Sequence, residues 1–326
     1  MEGQKRIFEI IKTKISDQYR LADMMEELLG VSTDSAYRRI RGETELSFSE
    51  LQKICARFNL SVDDVLSYKS SKSALFQYTP VSLSDQESYI GYMTRLLEGL
   101  KVLKSATEKE LFFTAQDIPF YHFLKFPELA FFKLYAWNDT INHQSITFCK
   151  FCDHLEKDRI MSIYEEMHHA YMYIPSKEIW TGQTMDTILR LLEYYYETGA
   201  FEKKDTVLLL LGQLTNLLDA VKQYADDGYK EAEKETPFSL YICSVDLGND
   251  FMLTKRGTHW SCNIKLYTIN SMATENESLC SEMSKWIDDL ISKSILISGA
   301  SARERNRFYQ SSKNKIDNLM NKIEMS

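Results

Sequence analysis

A chain of 326 residues is long for one compact core, so a small domain joined to a larger one is the natural expectation. At 44% apolar and 26% charged residues, the composition is that of a globular protein and excludes a disordered or fibrous one. The net charge of −8 at first argues against a nucleic-acid partner, although a short basic reading surface fits inside an acidic whole.

No apolar run approaches the roughly 20 residues of a membrane-spanning helix. The most apolar stretch, "TVLLLLGQLTNLLDAV", is interrupted by Gly212, Gln213, Thr215 and Asn216. The opening "MEGQKRIFEIIKTKI" has neither an apolar signal core nor a small-residue cleavage site. Six cysteines (Cys55, Cys149, Cys152, Cys243, Cys262 and Cys280) are too sparse for a disulfide framework. A reduced, cytoplasmic protein with no membrane partner is expected.

Residues 1–68 read as a series of about five short helices with no strand signal. Ile7, Phe8, Ile11 and Ile15 recur at helical spacing, as do Leu21, Met24, Met25 and Leu28. A third helix runs from Ser32 to Arg41. A fourth, "SFSELQKICARFN", places Phe48, Leu51, Ile54, Cys55 and Phe58 on one face. Ser61 opens a fifth, "SVDDVLSY".

Residues 69–83 carry serines and Pro80 and read as a linker, leaving 84–326 as the second domain. Ser84 and Glu87 form a capping-box pattern ahead of a helix whose wide stripe includes Ile90, Met93, Leu97 and Leu100. That stripe reads as core, and its a/d spacing also permits a dimer seam. "KELFFTA" reads as a strand, and Pro127 opens the helix "PELAFFKLYAW". Helices follow at about 143–170, 183–198 and 204–224. "FSLYICSVDL", "DFMLTKR" and "HWSCNIKLYTI" then read as a small antiparallel meander. Two helices close the chain, at about 277–296 and 302–324, the latter behind a second capping-box pattern, Ser301 to Glu304. The fold class is mainly α, α+β overall: an all-helical domain of about five helices, then a larger, mostly helical domain with a small antiparallel sheet.

The stretch "LLGVSTDSAYRRIRGE", residues 28–43, carries the functional reading. Gly30 allows a sharp turn after the second helix, Ser32 can cap the third, and Gly42 ends it. Together with Leu46, Leu51, Ile54, Cys55, Phe58, Leu60, Val62 and Leu66, this order resembles the helix-turn-helix module of phage-repressor-like (XRE-type) bacterial transcription regulators, over about residues 5–68. Two positions depart from that pattern: Glu26 stands where the family has a small residue, and Arg39 where it has an apolar one. The resemblance implies a sequence-specific DNA-binding regulator whose third helix enters the major groove.

With Ala36, Tyr37 and Ile40 facing the core, the opposite face holds Ser35 and Arg38, flanked by Asp34 and Arg39. Ser32, Thr33, Asp34 and Ser35 are expected near phosphates or bases, and Arg38 or Arg39 on a guanine edge. Arg41, Arg20 and Lys14 are expected on phosphates. Residues 1–70 hold 11 Lys and Arg against 12 Asp and Glu, so the pattern, not the charge, supports DNA. The alternative is a protein-interaction or scaffold protein whose helical module binds protein.

Weaker signals lie in the second domain. "CKFC" (Cys149–Cys152) has His143, His168 and His169 nearby, but adjacent histidines do not give metal-ligand spacing, and the cysteines read as a helix face. No metal site and no cofactor is expected. The Tyr- and Phe-rich segments read as core that could also line an apolar ligand pocket. The tail "SARERNRFYQSSKNK" reads as a solvated helix face with Phe308, Ile316 and Leu319 inward. No P-loop, GxGxxG, GxSxG or HExxH pattern supports an enzyme. The expected partners are double-stranded DNA, a second copy of the chain, and a small-molecule or peptide effector for the second domain.

Overall fold

The computed structural model describes residues 2–15, 21–58, 60, 73–83, 85–142, 146–231, 233–245, 247–267 and 270–326. It divides into two units, Met1–Leu75 and Phe76–Ser326. The first contains α1 (Glu2–Lys14), α2 (Leu21–Leu29), α3 (Thr33–Arg41) and α4 (Phe48–Phe58). Its core follows the apolar spacing for Ile7, Phe8 and Ile11 of α1, Leu21 and Met25 of α2 and Ile54 of α4, joined by Leu29 and by Ala36 of α3, whereas Phe48, expected on the inward face of α4, is 78% exposed at the start of that helix. The fifth helix expected over residues 61–68 falls outside the described residues.

The second unit is helical in its majority around one eight-stranded sheet. Its strands are β1 (Gln77–Tyr78), β2 (Lys109–Ala115), β3 (Ser176–Thr181), β4 (Phe238–Cys243), β5 (Phe251–Arg256), β6 (His259–Tyr267), β7 (Asn270–Thr274) and β8 (Ile295–Leu296), in the order β1-β7-β6-β5-β2-β3-β4-β8. The antiparallel meander expected from the β4, β5 and β6 segments is met only in β5 and β6, and β7, not expected as a strand, extends it. β4 does not join it. Instead β2, β3 and β4 pair in parallel at the centre, so the sheet is mixed and larger than expected. The parallel arrangement follows from the helical crossovers between these strands. Gln77 and Tyr78, in the stretch read as linker, pair with Ala273 and Met272 at the sheet edge.

The helices of this unit are α5 (Gln86–Ser105), the single turn α6 (Phe120–Phe123), α7 (Pro127–Asn142), α8 (Phe148–Asp153), α9 (Lys157–Met172), α10 (Asp186–Glu197), α11 (Lys204–Asp227), α12 (Glu277–Ser292) and α13 (Ala302–Met325). The long helix expected over 143–170 is two helices, α8 and α9, separated by residues 154–156. Two caps also differ from expectation. Ser84 lies outside the described residues, and Asp85 caps α5 by accepting from the Glu87 N–H at 3.1 Å. Ser301 stands at the start of α13 without a side-chain capping bond.

Alternation along the strands sends side chains to two helical layers. Leu111, Phe113 and Trp180 face the large layer of α5–α11 and α13. Phe112, Ile179, Leu253 and Cys262 face α12 through Cys280, Ile287 and Leu290. The α5 stripe Ile90, Met93, Leu97 and Leu100 is spent in this core, so it is not free as a dimer seam. The aromatic residues pack largely edge to face, as in Phe132–Phe148, Tyr135–Tyr195 and Phe132–Tyr195. Arg305 departs from the solvated face expected of the tail. It is buried, pairs with Asp226, and donates to the carbonyls of Ile297 at 2.7 Å and Gly299 at 2.9 Å.

Charges are buried between the sheet and the larger helical layer. Glu178 of β3 accepts from His122 Nε2 and Trp180 Nε1, each at 2.9 Å, and from the Tyr171 hydroxyl at 2.5 Å. Burial acts to raise the Glu178 carboxyl, but His122 and the hydrogen bonds outweigh it and hold the pKa below the usual value. Lys230, also buried, donates to the carbonyls of Tyr171 at 2.9 Å and Ile174 at 2.7 Å. Burial pushes its pKa down from 10.5 to about 7, against the opposing pull of Glu178. Between those values the unfolded chain binds a proton that the folded chain lacks, so Lys230 makes stability rise with pH. The slope from this one group approaches about 1.4 kcal/mol per pH unit. Urea unfolding at pH 7, 8 and 9 is expected to show it in the parent protein, and Lys230→Met to remove it; parallel pH slopes in the two proteins would contradict this.

Candidate nucleic-acid interface

The turn between α2 and α3 is built from three residues. The Gly30 N–H donates to the Glu26 carbonyl at 2.9 Å and Gly30 takes φ +68°, a left-handed conformation that a side chain would strain. Val31 follows, and Ser32, with extended backbone, accepts the Ser35 N–H on its hydroxyl at 3.4 Å. At the other end Gly42 takes φ +75°, its N–H donating to the Arg39 carbonyl at 3.0 Å, while the Glu43 N–H donates to the Arg38 carbonyl at 2.8 Å. The glycines and the serine thus act as their spacing predicts.

The roll of α3 differs from expectation. Ala36 is fully buried and Ile40 packs against the same core. Tyr37, expected inward, is 48% exposed. Thr33, Asp34, Arg38 and Arg41 are exposed, Ser32 is exposed at the N-cap, and Ser35 is half-buried. Arg39 turns toward α4. Its guanidinium pairs with Glu50 Oε1 through Nη2 at 2.9 Å and Nε at 3.0 Å, and Nη1 donates to the Ser35 carbonyl at 3.2 Å. Committed to these partners, Arg39 is not placed to read a base. The exposed arc is therefore Thr33, Asp34, Tyr37, Arg38 and Arg41. Arg20 and the Lys14 side chain lie outside the described residues.

Glu50 performs two tasks. Its Oε2 accepts from the Ser47 N–H at 2.8 Å while the Ser47 hydroxyl accepts from the Glu50 N–H at 3.2 Å, a capping box that opens α4. Its Oε1 holds Arg39. Burial acts to raise this carboxyl, but the Ser47 N–H and the Arg39 guanidinium outweigh it, and the pKa lies below its usual 4.5.

Two further contacts steady α3. The Thr33 hydroxyl donates to Glu26 Oε2 at 2.5 Å, so the first departure from the family pattern is one half of a clasp across the turn. The second, Arg39, is one half of the pair with Glu50. From α1, Gln4 donates to the carbonyls of Arg39 and Thr44, each at 2.8 Å, and accepts from the Leu46 N–H at 3.0 Å. Gln4 thereby satisfies a carbonyl in the last turn of α3 and fixes the loop to α4. No local pattern announces it, because its partners lie 35 to 42 residues away.

Arg38 and Arg41 share one counter-ion, Glu43. Arg41 Nε lies 3.1 Å and Arg38 Nε 3.9 Å from its carboxylate oxygens, with all three side chains about half exposed. Such exposed pairs are weak and exchange readily for a phosphate or a base edge. Elsewhere, Cys149 is exposed and Cys152 half-buried on α8. Among the described residues, no group of three or more His, Cys, Asp or Glu side chains is arranged to hold a metal ion, and no helix is long and apolar enough to cross a membrane.

Arg39→Ala is expected to leave Glu50 without its cation and to loosen α3 by about 1–3 kcal/mol, read as lost hydrogen-exchange protection over residues 33–41. Arg39→Lys, lacking the planar fork, restores only part. Because the folded Glu50 pKa is depressed, its contribution is present above the unfolded value and lost as pH falls through the folded one. Protection of α3 should therefore fall in acid below about 4.5 in the parent and be flatter in Arg39→Ala. Unchanged protection at neutral pH would show that Arg39 does not hold the helix.

A family model described as the BetR domain matches residues 5–95. That domain is a DNA-binding domain of helix-turn-helix type in bacterial regulators. The match takes in α1 to α4 and continues through β1 into the first half of α5, less than a third of the chain. No curated protein and no solved structure matches. The N-terminal part of the chain is similar in sequence to a DNA-binding domain of bacterial transcription regulators.

Proposed function

We propose that the protein is a cytoplasmic, sequence-specific DNA-binding transcription regulator of the phage-repressor-like (XRE-type) kind, working as a homodimer. The observation that carries this reading is the exposed arc of α3, with Thr33, Asp34, Arg38 and Arg41 on a helix presented by a tight turn, in a stretch similar to a DNA-binding domain. Arg38, farthest from the core, is the reader of a guanine edge. Arg41 and the α3 N-terminus engage phosphates and set the docking register. A nine-residue helix reads few base pairs, so a second copy on a neighbouring half-site supplies the remaining specificity. The larger unit carries dimerisation and the response to a small-molecule or peptide effector, and no catalytic role is assigned to it.

Fluorescence anisotropy of the full chain against a random duplex at several salt concentrations tests the reading. Affinity is expected to fall steeply and log-linearly with salt, whereas no binding at low salt would sink it. Arg38→Ala should relax base preference at one position of a selected site. Arg41→Ala should weaken all sequences evenly and lower the salt slope by about one. Glu43→Gln releases both arginines, so it should strengthen random-duplex binding by about two- to fivefold and steepen the slope. An unaltered affinity and slope in Glu43→Gln would show that Glu43 does not restrain them.

A further inference from the structure

The exposed arc of α3 contains one residue that phosphate binding does not explain. Tyr37 is 48% exposed at the middle of a nine-residue helix whose other exposed side chains are polar or charged. It has neither a hydrogen-bond nor a ring partner among the described residues. Thr33 precedes it by four positions and Arg41 follows it by four, so the three form one strip, about 40° apart from one to the next. Arg38 lies beside that strip. The ring stands about 100° round the helix from Arg38, on the same exposed arc. In the major groove the one apolar group that a base pair presents is the 5-methyl of thymine.

We infer that Tyr37 is a specificity-determining residue of α3, its ring packing on a thymine 5-methyl group while Arg38 reads its own base. The inference rests on the DNA-binding reading above and adds a second base preference to it. Ring burial against a methyl group is dispersion and desolvation, so the hydroxyl is dispensable and the ring is not.

The test uses the full chain. A preferred site is first selected from a random duplex pool, and each thymine in it is then replaced in turn by uracil, which removes only the methyl. The expected result is a loss of about three- to fivefold at one thymine per half-site in the parent protein. The same loss is expected in Tyr37→Phe, whereas Tyr37→Ala should bind thymine and uracil sites equally. The uracil series uses unaltered protein, so it does not depend on a variant folding. Uracil substitutions that are all neutral in the parent, or a thymine preference that persists in Tyr37→Ala, would overturn the inference and leave DNA binding standing. Even weakening of every sequence in Tyr37→Phe would also overturn it, by making the hydroxyl a phosphate contact. A parent protein that fails to bind duplex, or that binds without enriching any sequence, would sink the regulator reading itself.

Discussion

The orientation of α3 depends on the pair between Arg39 and Glu50. α3 buries only one side chain completely, Ala36, and an alanine has too little surface to fix how a short helix is rolled about its axis. Directional contacts supply what apolar packing cannot. Arg39–Glu50 holds one flank, Thr33–Glu26 the other, and Gln4 the C-terminal end. Because Glu50 also closes the capping box of α4, the roll of α3 and the start of α4 are set by the same carboxylate. Charge-assisted hydrogen bonds with little solvent access are specific in angle as well as distance, which apolar contact is not.

Much of this unit is legible in the sequence because its determinants are local. Gly30, Ser32 and Gly42 act through their own backbone and near neighbours, so spacing alone reveals them. The roll of α3 is less legible. A tyrosine beside an alanine reads as core by hydrophobicity, yet Tyr37 faces outward, and an arginine reads as surface, yet Arg39 points toward α4. What distinguishes them is a carboxylate eleven residues on, and a pairwise long-range term leaves no mark on periodicity. The Glu26 and Arg39 departures from the family pattern were the signal available: each odd residue had a partner elsewhere in the same unit.

The same limit explains the second unit. "KELFFTA" is apolar enough to declare itself a strand, and it is one, over the residues expected. "SKEIWT" hides a central parallel strand because Lys177 and Glu178 interrupt its apolar character. Glu178 is buried only because His122, Tyr171 and Trp180 converge on it from a turn, a helix and its own strand. Lys133, inside "AFFKLYAW", is buried against Asp117 in the same way. Parallel pairing is likewise invisible to local pattern, since it is decided by crossovers of tens of residues and not by a turn. Buried pairs of this kind cost desolvation and do not serve as simple stabilisers, but breaking one leaves an uncompensated charge.

Gln4 gives the first unit a property beyond its geometry. It sits in the opening turn of α1, and opening turns are where helices fray. Two of its three hydrogen bonds hold the loop that follows α3 and the third the last turn of α3 itself, which couples that loop to the helix end that grips it. Fraying of α1 and freedom of the α3–α4 loop are then one motion. Any ligand that immobilises the loop quietens the beginning of the chain as well, and the entropy lost on binding is drawn partly from residues that never approach the ligand.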